Sequence, residues 1–127
     1  MEMKPRPRLV VVGCGSIGRR HARVLARTRP ETVSLELCEP QPANLAVALS
    51  EVGPVPTHTD FAAMLQTRPE MVIIATPHAL HADQTVAALE AGVHVLCEKP
   101  LAHTVANAQR MLAAARRSGR VLSIGFT

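Results

Sequence analysis

Aromatic side chains are nearly missing from this sequence: two phenylalanines stand among 127 residues, with no tryptophan and no tyrosine. That speaks against modules that stack bases on aromatic rings. It also requires a core of Val, Leu, Ile and Ala, which suits buried parallel strands covered by helices. Long apolar runs are missing too. The early one, Leu9 to Val12, is too short for a signal-peptide core or a membrane span, so a soluble, cytoplasmic chain without a membrane partner is expected. No CxxC pair exists. Cys14, Cys38 and Cys97 lie far apart, which suggests neither a zinc site nor a redox pair and fits a reducing compartment. Acidic residues are scarce at the start, where Glu2 alone faces Lys4, Arg6, Arg8, Arg19, Arg20, Arg23, Arg27 and Arg29. Arg23, Arg27 and Arg29 read as a solvated helix face. Arg19 and Arg20 stand where they can draw an anionic ligand. No helix-turn-helix, zinc or stacking signature accompanies this charge, so nucleic acid is not expected as a partner.

What is present is an alternation of two periodicities. After a loose tail over residues 1–7, short β-branched runs alternate with helical patterns. Strands are expected at Leu9–Val12, Val33–Cys38, Val55–His58, Met71–Ala75, Val93–Cys97 and Val121–Phe126. Between them, Ile17, His21, Val24, Leu25 and Thr28 recur at helical spacing, as do Leu45, Leu49 and Val52. Thr59 or Asp60 caps a short helix through Gln66. Ala79, Ala82, Val86 and Leu89 mark the next helix, stopped by Gly92. Thr104 caps the last, which Gly119 follows. This pattern predicts an α/β fold with one domain over residues 8–127: a doubly wound parallel sheet of six strands, order 3-2-1-4-5-6, helices on both faces.

The first strand feeds Gly13-Cys-Gly15-Ser-Ile-Gly18, and a helix follows at once. The first glycine allows a tight turn. The second lets the backbone approach a pyrophosphate, and the third lets the helix pack on the strand. The helix N-terminus adds free N–H groups for the phosphates. Glu39 ends the second strand about 20 residues after the loop, where an acid hydrogen-bonds adenosine ribose hydroxyls. A carboxylate there repels a 2′-phosphate, and neither Pro40 nor Gln41 offers a cation to hold one. NAD is favoured over NADP. A solvated glutamate at a strand end is the plainer alternative.

Two later segments reach the same sheet edge. Thr76-Pro77-His-Ala-Leu-His81 follows the fourth strand, beside the point where ligands bind in open α/β sheets. Thr76 and His81 can reach a cofactor there. His78 and His81 have i, i+3 spacing but no third metal ligand, and a packed or capping role suits His81 better on spacing alone. Cys97-Glu98-Lys99-Pro100 follows the fifth strand. Glu98 can accept ribose hydroxyls, and Lys99 can polarise a substrate oxygen or assist proton transfer. Equally, the two can form a surface ion pair before a loop proline.

Gly13-Cys-Gly15-Ser-Ile-Gly18-Arg-Arg-His21, Thr76-Pro-His-Ala-Leu-His81 and above all Gly92-Val-His-Val-Leu-Cys-Glu98-Lys99-Pro100 resemble the Gfo/Idh/MocA oxidoreductases. The resemblance runs from about Arg8 to Thr127. It implies an N-terminal Rossmann domain that binds NAD(P) and serves hydride transfer at a carbon bearing oxygen, often on a sugar or cyclitol. Gly13, Gly15 and Gly18 then match the phosphate loop, with backbone contacts from Ser16 and Ile17. Glu39 matches the ribose acid, and Thr76, Pro77 and His81 line the cofactor cleft. Glu98 matches the nicotinamide-ribose contact, Lys99 the catalytic lysine, Pro100 an often cis proline. His21 matches a recurrent helix position, read as packing or loop support.

The family continues into a second domain with most substrate contacts and the acid/base histidine, and that domain is not expected in this chain. By itself the chain is expected to bind cofactor without turnover. An apolar sheet face normally covered by the second domain would then favour self-association into a homo-oligomer. A stand-alone NAD-binding module with a sensory or partner-binding role is the alternative.

Overall fold

The computed structural model describes residues 5–28 and 30–125. The elements run β1 (Arg8–Val12), α1 (Ser16–Thr28), β2 (Ser34–Cys38), α2 (Pro42–Val52), β3 (Thr57–His58), α3 (Phe61–Gln66), β4 (Met71–Ile74), α4 (His81–Glu90), β5 (His94–Glu98), α5 (Val105–Ser118) and β6 (Leu122–Gly125), with a 3₁₀ turn over His78–Leu80 before α4. The six strands form one sheet in the order β3-β2-β1-β4-β5-β6, and every pairing is parallel. The doubly wound sheet expected from the sequence is therefore the fold. Of the expected sixth strand, Phe126 lies outside the described residues, as do Arg29 and the first four residues of the tail.

Local chemistry sets the helix ends. Asp60, rather than Thr59, caps α3, its Oδ1 accepting the Ala63 N–H at 2.8 Å. Thr104 Oγ1 accepts the Asn107 N–H at the start of α5, and Gly119 ends that helix in the left-handed region. Gly92 follows α4 at φ +84. Its N–H donates to Leu89 and that of Val93 to Ala88, which closes the helix with a paired C-terminal turn.

Alternation along the strands divides the core between two faces. Val10, Val12, Val72, Ile74, Val95 and Cys97 pack towards α3, α4 and α5, where Met64, Leu89 and Met111 are fully buried. Leu9, Val11, Leu37 and Ile73 pack towards α1 and α2 through Ala22 and Ala48. On this second side the periodic apolar stripe of α1 is not its buried face. Gly18 and Ala22 are buried, while Ile17 and Val24 remain 43% and 53% exposed. The reason is steric: α1 seats on the strand through its smallest residues, and the bulkier ones turn aside over β4 and β5. There a groove of ≈ 410 Å³ runs between Val24 and Leu25 of α1 and Ile73 and Leu96 of the sheet.

From the amino edge of the sheet inward, a polar cluster ties four elements. Glu36 on β2 is 4% exposed. Arg8 holds it with two bonds, Nε to Oε2 at 2.6 Å and Nη2 to Oε1 at 3.0 Å. His58 Nε2 on β3 lies 2.8 Å from Oε1, and Arg8 also donates to the Thr67 carbonyl at 2.7 Å. The guanidinium hydrogen bond holds the Glu36 carboxyl below its ordinary range, against the opposing pull of burial.

Candidate cofactor site

The loop from β1 to α1 lies at the carboxyl edge of the sheet, and its three glycines meet three different demands. Gly13 has φ +92, and a Cβ there would stand 2.7 Å from the Ala75 carbonyl oxygen. At Gly18 a Cβ would meet the Gly13 oxygen at 1.6 Å. A Cβ at Gly15 would meet nothing within 4 Å, so the backbone there faces open space. The first turn of α1 begins one residue later, and its leading N–H groups have no partner within the helix.

Glu39 follows β2 and is 6% exposed. One carboxylate oxygen accepts the Cys14 N–H at 2.7 Å, the other the Gln41 N–H at 2.9 Å. These bonds fix the side chain against the glycine loop. An ionised carboxylate has about four acceptor sites, so it can still accept hydroxyls from the cleft that it lines. Burial, together with the Glu39 charge, pushes the Cys14 thiol up to about 11, which keeps it neutral. Arg19, beside the loop, is engaged within the protein. Its Nε lies 3.0 Å from Glu51 on α2 and its Nη1 donates to the Cys14 carbonyl. Arg23 binds the same Glu51 at 2.9 Å, so both guanidinium groups tie α1 to α2. The positive end of the cleft is the N-terminus of α1.

A cleft of ≈ 820 Å³ runs from Glu39 past Gly13 and Gly15 to Thr76 and Pro77. It is continuous with a second pocket of ≈ 470 Å³ that reaches Glu98, Lys99 and Pro100, because Ile17, Ala75, Thr76 and His78 line both. The structure thus brings every candidate cofactor-binding residue named from the sequence to one trough, apart from Gly18, which lies beneath the loop. Thr76 donates its hydroxyl to Gln84 Oε1 at 2.6 Å. His81 is buried under the trough, 1% exposed. Lys99 is exposed at the lip, and the Lys99–Pro100 peptide is cis. Glu98 does not pair with its neighbour Lys99 but turns to His21 Nε2 on α1. Sequence reasoning missed this pairing, although it noted both residues. They lie 77 positions apart, and only the crossing of α1 over β5 joins them. Among the described residues no three His, Cys, Asp or Glu side chains gather as a metal site, and none of the described helices is long and apolar enough to cross a membrane.

A parallel sheet with a glycine turn at its carboxyl edge, a helix N-terminus aimed into the cleft and a pinned acid after β2 together define a dinucleotide-binding Rossmann domain. Comparison with known proteins narrows this. The family model described as "Oxidoreductase family, NAD-binding Rossmann fold" (GFO_IDH_MocA) matches residues 7–126. The chain belongs to this Gfo/Idh/MocA oxidoreductase family. It is 36% identical over 119 residues to inositol 2-dehydrogenase of Salmonella typhimurium, covering 91% of this chain and 35% of that protein. The WlbA dehydrogenase of Chromobacterium violaceum, solved with NADH and UDP-GlcNAcA, superposes with a TM-score of 0.88 at 31% identity, over 98% of this chain and 36% of that one. Biliverdin reductase of Synechocystis, solved with biliverdin and NADP+, superposes with a TM-score of 0.82 at 32% identity, over 92% and 37%. The chain spans about a third of the length of these relatives.

Proposed function

We propose that this chain is the cofactor-binding part of an NAD-dependent oxidoreductase acting on a sugar, a cyclitol or a similar polyol or carbonyl compound. The observation that carries the reading is the meeting of Gly15 and Glu39 on one cleft: open space above a glycine beside a carboxylate held by two backbone N–H groups. In this reading Gly13, Gly15, Ser16, Ile17 and Gly18 form the pyrophosphate cradle, and Glu39 accepts the adenosine ribose hydroxyls. Thr76, Pro77 and His81 support the middle of the trough. Glu98 and Pro100 shape its far end, and Lys99 presents an ammonium to a developing oxyanion. The bound nicotinamide supplies hydride transfer. Inositol 2-dehydrogenase and the WlbA structure supply the substrate class by analogy. The whole protein's reaction needs donor and acceptor carbons held near contact, and Lys99 at an open lip does not position a substrate. The isolated chain therefore binds dinucleotide without turning it over. Three buried free thiols suit a reducing compartment such as the cytoplasm.

The preference for NAD rests on charge. The fixed Glu39 carboxylate would face a 2′-phosphate, with Pro40, Gln41 and Asn44 as its neighbours in the cleft. Nicotinamide fluorescence should show NADH binding at least ~10-fold more tightly than NADPH, about 1.4 kcal/mol. Glu39→Gln should narrow the gap by weakening NADH. No binding at millimolar NADH, or tighter binding of NADPH, contradicts the reading.

A further inference from the structure

His81 is the least exposed polar ring in the molecule's described part that touches the trough, and its two nitrogens have unusual partners. Nδ1 lies 2.9 Å from the Pro100 carbonyl oxygen, and Nε2 lies 2.8 Å from the Thr76 carbonyl oxygen. A carbonyl oxygen only accepts. Either nitrogen can carry the ring N–H and donate to its carbonyl, so the ring bridges the two segments; it is only 1% exposed. The two carbonyls belong to different walls of the site. Thr76 is in the loop after β4, and Pro100 is in the turn after β5, next to Lys99. His81 itself begins α4, whose contacts with α5 and β5 anchor it in the core.

We infer that His81 is a positioning residue: a buried imidazole set between two carbonyls that clasps the Lys99–Pro100 turn to the Thr76 loop and so sets the far end of the trough. The inference rests on the trough being the dinucleotide site, as proposed above. It assigns to a buried ring the separation between the two walls of the trough. The clasp acts chiefly on the end of the trough beside Lys99 and Pro100, because Gly13, Gly15 and Glu39 are held by other bonds.

That selectivity gives the test. NADH and ADP-ribose are titrated into the wild-type chain and into His81→Phe, which keeps a ring and removes both nitrogens. ADP-ribose has the pyrophosphate and adenosine but no nicotinamide. His81→Phe should bind ADP-ribose within about twofold of wild type and NADH at least ~5-fold more weakly, a split that a general loss of folding would not produce. Equal affinities of both chains for NADH overturn the clasp. A wild-type chain that binds neither ligand overturns the dinucleotide reading instead. If His81→Phe does not fold, nitrogen-15 NMR of the wild-type ring decides. A slowly exchanging ring N–H on His81 is the expected result, and a ring N–H that exchanges freely with water contradicts the inference.

Discussion

At Gly18 a Cβ would stand 1.6 Å from a backbone oxygen, whereas at Gly15 it would meet nothing. The two glycines look alike in the motif and differ in what replacing them costs. Gly18→Ala forces α1 off the strand and should cost several kcal/mol, as backbone clashes in a packed core do. Gly15→Ala should leave stability within ~1 kcal/mol and weaken NADH at least ~10-fold, because the methyl group fills the space kept for the ligand. Thermal unfolding of both variants, with NADH titration of the second, separates them; an unstable Gly15→Ala that still binds NADH normally would reverse the assignment. The same contrast shows how far residue identity was legible. Glycine spacing and the distance to Glu39 follow from the chain order. The bonds from Cys14 and Gln41 to Glu39 do not, because they depend on how two loops meet at the sheet edge.

Among the elements, β2 carries the least expected residue. Glu36 stands in a strand whose other residues are mostly apolar, and its side chain is buried against Arg8 and His58. The sequence placed Arg8 in a basic excess at the chain start. Its real partner lies 28 positions away and is reached through parallel pairing of β1 with β2. The consequence is a pH dependence. The Glu36 carboxyl titrates below its unfolded value of about 4.3, chiefly because of its hydrogen bond with Arg8. Its contribution is therefore present in full above the unfolded value and is lost as pH falls through the folded one. Denaturant midpoints measured from neutral pH downward should drop through that acid window, and Glu36→Gln should lower stability by about 2 kcal/mol at neutral pH while flattening the drop. An unchanged acid limb in Glu36→Gln would assign the loss to other carboxylates. The helix periodicity of α1 teaches a related lesson. Ile17 and Val24 recur at the right spacing, but the site required Gly18 and Ala22 against the strand. Where a backbone approach sets helix position, the largest apolar residues are not the buried ones.

Across the whole molecule, the order β3-β2-β1-β4-β5-β6 leaves the loops after β1, β2, β4 and β5 along one edge. Residues scattered from Gly13 to Pro100 become neighbours for that reason. The alternation of strand and helix signals made this order legible, since right-handed crossovers and a glycine turn after β1 leave few topologies. The clasp of His81, the turn of Glu98 towards His21 and the uncovered groove beside α1 required the assembled fold. The central claim is that this edge is the dinucleotide site. Amide chemical-shift mapping with NADH tests it most directly. Shifts should concentrate at Gly13 to Gly18, at Glu39 and Gln41 and at Thr76 and His78, and Arg8 and Thr67 at the opposite edge should stay still. Shifts centred on that opposite edge, or none at saturating NADH, would contradict the account.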